Sequence, residues 1–228
     1  IEFDGRKFEF IGVPAQDHFV IGLAKATGIT NFQGWMTAKK TVKLGGVAPG
    51  GATDDVPKVI EATLGAPLRV VSGYKGTGPV RLAFDSGEVD GVCNSWESLK
   101  STWRKQLDSG ALVPILQATV KSHPELPDLP VALEFARTDE ERELIRAVTR
   151  IHGPSVRPYF LPPGTAPERV QTLRQAFMNT MKDPEFLAEA KQAKLDTNPG
   201  SGEELERNVK EIFKLEPALI AKLKEILK

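Results

Sequence analysis

The five residues Pro49-Gly50-Gly51-Ala52-Thr53 form the segment best suited to hold a ligand. They separate a small apolar run at 42–48 from TDDVPKVIEATLG, whose Val56, Val59, Ile60 and Leu64 fall at helical spacing, with Gly65 as terminator. The first turn of a helix leaves backbone N–H groups unpaired, and its dipole favours an anion there. Gly50, Gly51 and Ala52 are small enough to let a carboxylate reach the backbone, and Thr53 is placed as the N-cap. A plain strand-to-helix turn with a Thr cap reads equally well from these residues. The loop also nearly matches a phosphate-binding P-loop, with Gly46, four residues, Gly51 and Ala52-Thr53. Ala52 stands where that motif needs a lysine, which argues against nucleotide hydrolysis.

Two further loops have chemical potential. Gly73-Tyr74-Lys75-Gly76-Thr77-Gly78 lacks the dinucleotide glycine spacing; its glycines permit a turn that brings Tyr74 and backbone donors into a cleft. Asn94-Ser95-Trp96 follows the apolar run that ends at Cys93 and adds an amide, a hydroxyl and an aromatic wall. Other candidates are weaker. Ser72 and Lys75 match Ser-x-x-Lys, but acyl transfer needs that serine at a helix start, and here the residues leave a strand. Cys93 reads as a small core hydrophobe. His18, His123 and His152 are far apart and show no metal-ligand spacing, so each reads as a surface or packing residue. Glu88 and Asp90 share a strand face without an evident acid–base partner.

The elements that position these loops repeat along residues 41–117. Apolar runs at 42–48, 68–72, 88–93 and 112–117 alternate with helical patterns at 53–64, 79–86 and 96–107. Such strand–loop–helix units imply βαβ crossovers and a largely parallel sheet covered on both faces. Ligands then sit beyond the carboxyl ends of the strands, where loops 49–53, 73–78 and 93–96 converge. Together they suit an uncharged cleft for a small polar ligand. Helical patterns dominate the C-terminal part, at 138–152, 167–181, 183–193 and 202–228, the last interrupted at Pro217. Strand candidates outside the repeat are 8–13, 18–23 and 157–161.

Composition sets limits. The chain has 228 residues with 30 Lys+Arg against 30 Asp+Glu, so it lacks the basic field of a nucleic-acid binder. No apolar run approaches the roughly 18–20 residues that cross a bilayer. A single cysteine excludes a disulfide framework and any multi-cysteine zinc site.

Four segments, LGAPLRVVSGYKGTGPVRLAFDSGEVDGVCNSW at 64–96, LPDLPVALE at 126–134, RPYFLPPGTAPERVQTLRQAF at 157–177 and DPEFLAEAKQAKL at 183–195, carry a family likeness. Together they resemble the extracytoplasmic solute receptors of tripartite tricarboxylate transporters, the TctC or Bug family, over nearly the whole chain from about Phe3. The resemblance implies an α/β, type II periplasmic binding-protein fold: two α/β lobes with crossover strands, closing on a small organic carboxylate like a Venus flytrap. On that basis residues 1–21 plus 156–228 are expected to be a remnant of lobe 1, and 22–155 to be lobe 2. The expected ligand residues are Gly50, Gly51, Ala52 and Thr53, then Gly73, Tyr74, Gly76 and Thr77, then Asn94, Ser95 and Trp96, with Gln16 from the first lobe. The likeness further implies a monomer without catalysis, cofactor or metal, partnered by membrane transporter subunits in the periplasm. The chain starts at Ile1, so the signal peptide, the opening strands of lobe 1 and a glycine-rich loop gripping the other end of the ligand are expected upstream. A ligand-sensing module using the same cleft and, more remotely, a serine acyl hydrolase built on Ser72 and Lys75 are the competing readings.

Overall fold

Two neighbouring apolar runs of similar composition, EFIGV and FVIGLA, go to different sheets. They are strands β1 (Glu9–Val13) and β2 (Phe19–Ala24). The computed structural model describes residues 4–154, 157–193, 195 and 197–228. It divides into unit 1, Ile1–Asp17 with Arg150–Leu215, and unit 2, His18–Thr149 with Glu216–Lys228.

In unit 2, β2 is followed by the short helix α1 (Phe32–Met36) and then by β3 (Val42–Gly45), α2 (Ala52–Leu64), β4 (Leu68–Val71), α3 (Thr77–Asp85), β5 (Gly91–Ser95), α4 (Trp96–Thr102), α5 (Arg104–Asp108) and β6 (Leu112–Gln117). Helix α6 (Asp139–His152) carries the chain across the boundary between the units. The five strands are ordered β4-β3-β5-β2-β6. β3 is parallel to β4 and β5, whereas β2 is antiparallel to both β5 and β6. The expected βαβ run is therefore present, with β2 inserted against its direction.

Burial explains why β2 belongs there. Phe19, Val20, Ile21 and Leu23 are all buried, as a strand covered on both faces requires. Gly22 and Gly91 make the insertion possible, because a Cβ on Gly91 would collide with the Gly22 carbonyl oxygen and crowd Leu23 at 2.8 Å.

In unit 1, β1 pairs antiparallel with β7 (Tyr159–Leu161) and β8 (Gly200–Ser201). The last of these has only two residues and no periodic pattern, and the sequence does not announce it. Helices α7 (Pro167–Thr180), α8 (Pro184–Gln192) and α9 (Gly202–Phe213) follow the expected starts: Asp183 caps α8, and Ser201 with Glu204 forms a capping box on α9. Arg174 of α7 ties this unit together. It is buried, donates Nε to the Phe10 carbonyl at 2.8 Å and pairs with Glu203 and Glu206 of α9.

The units divide at 17/18 rather than 21/22, because the whole of β2 lies in the five-stranded sheet. The last helix, α10 (Pro217–Ile226), separates from α9 at Pro217 and goes with unit 2. It packs on α2, and Lys58 Nζ donates to the Leu227 carbonyl at 3.2 Å. Residues 155–156, where the second expected lobe boundary falls, lie outside the described residues.

If the Gly22–Gly91 approach is what admits β2, Gly91→Ala will lower stability by about 1–3 kcal/mol, the usual cost of overpacking. Urea unfolding measures this, and a change below about 0.5 kcal/mol would show that β2 is held by other contacts.

Candidate functional site

The carboxyl ends of β3, β4, β5 and β6, with the start of β2, form one edge of unit 2. The loop after β3 turns on Gly50, whose φ of 84° suits glycine, and α2 begins with Gly51 as N-cap. Thr53, expected as the cap, lies inside the first turn. Its Oγ1 accepts the Val47 N–H at 3.1 Å and donates to Asp54 Oδ2 at 3.0 Å.

Asp54 and Asp55 organise this loop. Asp54 is fully buried, and its Oδ2 also accepts the Ala48 N–H at 3.0 Å. Asp55 Oδ1 accepts the Gly50 N–H at 3.0 Å. The Gly51 N–H bonds to the Ala48 carbonyl. The chain thus uses most of the loop's donors internally. The N–H groups of Ala52 and Thr53 have no partner among the described residues. They stand at the positive end of a 13-residue helix, the polarity an anion requires. Residue types and spacing mark the loop, but the donors of Gly50 and Gly51 are already satisfied.

The second loop is tied to the first: Gly73 N–H reaches the Val47 carbonyl and Tyr74 N–H the Gly46 carbonyl, both at 3.3 Å. Gly73 and Gly76 have φ of 105° and 107°, and Thr77 opens α3. The Tyr74 hydroxyl donates to Glu88 at 2.5 Å, and this bond, with burial, pushes the phenol up to about 12. Glu88 and Asp90, expected on a strand face without partners, lie in the bend before β5. Glu88 holds Tyr74, while Asp90 accepts from Lys40 at 3.0 Å and from the Lys43 N–H at 2.9 Å.

Asn94 and Ser95 belong to β5 rather than to a loop, and both are buried. Ser95 caps α4, and Asn94 Nδ2 donates to Ser98 Oγ at 3.2 Å. Trp96 is half-buried. It packs, like Val47 and Tyr74, against the core cluster containing Val80, Phe84 and Trp103. Unit 2 therefore brings together the 50–53 and 73–77 loops and Trp96 at one sheet edge. Gln16 belongs to unit 1, where its N–H bonds to the Asn198 carbonyl at 3.1 Å.

The structure also joins residues that sequence distance kept apart. His18 and His123 are in edge contact, ring centroids 5.0 Å apart, instead of standing separately. Gln117, fully buried, accepts from His18 Nε2 at 2.8 Å and from the His123 N–H at 2.7 Å. Their separation of about a hundred residues left no local signal. Ser72 and Lys75 lie in irregular chain between β4 and α3, without the helical turn that Ser-x-x-Lys chemistry needs. The Cys93 thiol is fully buried and pushed far above its ordinary range by burial. Among the described residues, no group of three or more His, Cys, Asp or Glu is placed to hold a metal, and no helix is long and apolar enough to cross a membrane.

No protein-family model matches the chain, and no curated protein matches it. Solved structures do. A TctC solute-binding protein from Polaromonas, with no ligand, aligns with TM-score 0.70 at 15% identity over 97% of this chain and 72% of that one. Rpa4515 of R. palustris with adipate gives 0.66 at 18% identity over 99% and 70%. MatC from Rhodopseudomonas palustris with bound malate gives 0.62 at 16% identity over 99% and 72%. The chain thus has the fold of the TctC-type periplasmic solute-binding proteins, as its sequence motifs led one to expect.

Replacing Asp54 by Ala strands the Ala48 N–H and the Thr53 hydroxyl, and should cost about 1–3 kcal/mol. Chemical denaturation tests this, and unchanged stability would mean that the loop holds its shape without the carboxylate.

Proposed function

We propose that this chain is a non-catalytic periplasmic solute-binding protein. It captures a small organic carboxylate for a tripartite tricarboxylate-type secondary transporter. The observation that carries the reading is the pair of unpaired N–H groups, Ala52 and Thr53, at the first turn of α2 on the sheet edge. Two N–H donors aimed at a carboxylate form charge-assisted hydrogen bonds without any cationic side chain. Tyr74 and Trp96 supply apolar surface beside them. Neutral donors suffice for micromolar capture, since a Kd of 1 μM corresponds to only about 8 kcal/mol. The buried carboxylates of Asp54 and Asp55 oppose an anion here, which favours such reversible binding over very tight binding. Adipate and malate bound to proteins of the same fold make them the first ligands to try. The absence of a helical Ser72–Lys75 pairing supports a receptor over a hydrolase.

Ala52 offers a selective test. It is the first residue of α2, where proline is well tolerated, and Gly51 before it is extended, with φ −100° and ψ 151°, as a residue preceding proline prefers. Ala52→Pro therefore removes one donor while keeping the helix. Calorimetric titration with mono-, di- and tricarboxylates should find a selective ligand, and Ala52→Pro should weaken it by roughly 10–100-fold, the value of a hydrogen bond to a charged group. If none of these acids binds the native chain, carboxylate capture is wrong. If Ala52→Pro binds as tightly as the native chain, the anion is held elsewhere.

A further inference from the structure

Beside Trp96, His18, Gln117, His123 and Glu125 form a polar node separate from the Ala52–Thr53 turn. Its hydrogen bonds determine their own proton positions. The His123 backbone N–H can only donate, so the Gln117 atom that receives it is the amide oxygen. Gln117 Nε2 in turn donates to the Leu126 carbonyl at 3.0 Å and to the Leu129 carbonyl. Since His18 Nε2 meets that same amide oxygen, the neutral imidazole must carry its hydrogen on Nε2. Any further proton on His18 goes to Nδ1.

Trp96 depends on this node twice. Its backbone N–H donates to the His18 carbonyl at 2.8 Å. Its indole Nε1 donates at 2.6 Å to Glu125, which also accepts Lys100 Nζ at 2.8 Å, and the Glu125 N–H donates to His123 Nδ1 at 3.1 Å. The groups facing His18 from the end of β6 and the segment after it are Gln117, His123 and Lys121, and the Lys121 ammonium opposes a positive charge there. The residues that β5 places opposite the start of β2, Ser95 and Asn94, carry no charge. On the far side of His123 stands Glu97, at 3.8 Å from its Nε2.

We propose that His18 and Gln117 are positioning residues for Trp96, and that a proton arriving on His18 opens the node and releases that wall of the site. This rests on the carboxylate-receptor reading for its consequence, but not for its geometry. Burial first, with the positive charge of Lys121 adding to it, holds the His18 imidazole down to about 4 against an ordinary 6.5, with the Gln117 bond working the other way. The sign follows from linkage. With its pKa lowered in the closed node, His18 binds protons more readily when the node is open, so closure is complete above 6.5 and is lost as pH falls toward 4. Over that window the open fraction rises by up to roughly 300-fold relative to the closed one. The Lys100 ammonium and the Trp96 indole hold the Glu125 carboxyl below the ordinary carboxylate range.

The test uses the chain labelled with 5-fluorotryptophan, its Trp96 fluorine resonance assigned by loss in Trp96→Phe. Titrated from pH 7.5 to 4 without ligand, that resonance should shift within the 6.5-to-4 window. His18→Gln, which keeps an amide donor for Gln117 and cannot gain charge, should abolish the shift. Lys121→Gln, an exposed change that spares folding, should move it to higher pH, and decides the matter if His18→Gln does not fold. A flat resonance, or one that titrates unchanged in these variants, overturns the proposal. Adipate affinity at pH 7.5 and 5 then separates the two ideas. Weaker binding at pH 5 in the native chain but not in His18→Gln supports both. Binding with a flat Trp96 resonance defeats the node alone, and titration without binding of any carboxylate defeats the functional reading alone.

Discussion

The antiparallel insertion of β2 between β5 and β6 is the constraint on which unit 2 depends. A strand running against its neighbours brings its first residue to the edge where they end. His18 therefore stands beside the carboxyl ends of β5 and β6, and its carbonyl receives the Trp96 N–H. With strands about 4.8 Å apart, the ends of β3, β5, β2 and β6 fall within about 15 Å of one another. The insertion in turn depends on two glycines, Gly22 and Gly91, whose backbones meet where a methyl group has no room.

Around this edge, hydrogen-bond supply governs what the site can do. The loop before α2 contains several N–H groups, and a reading by composition treats them as equally available. Asp54 and Asp55 turn back from the first helical turn and use those of Ala48 and Gly50. What remains is a narrow, oriented pair at Ala52 and Thr53. A zero net charge is consistent with this arrangement. An anion would be met by fixed dipoles rather than a basic field, so its binding would be selective in direction and little screened by salt.

The βαβ run and its loops were legible because each feature is local. Gly65 ends α2, Ser95 opens α4, Asp183 caps α8, and the apolar runs at β3, β4 and β6 are short and bounded by turn residues. A candidate site of three loops on one edge could be read from the sequence, and backbone bonds from Gly73 and Tyr74 tie the second of these loops to the first. Less legible was which atoms remain free. Thr53 was expected to cap and instead relays between Val47 and Asp54, while Asn94 and Ser95 lie within a buried strand. Position along a helix or strand follows from periodicity, but the partner of a side chain does not.

By itself the sequence determined the α/β class, the order of strand–loop–helix units and the small-residue turn at 50–53, since these follow from spacing and glycine placement within a few residues. Tertiary structure alone decided that β1 and β2 part company, that a two-residue β8 completes the sheet of unit 1 and that α10 leaves α9 for unit 2. It also decided that His18, Gln117 and His123 meet beneath Trp96. The physical reason is common to all of these. Each depends on contacts between residues distant in the chain, where burial and hydrogen-bond satisfaction are resolved only once the strands have taken their places.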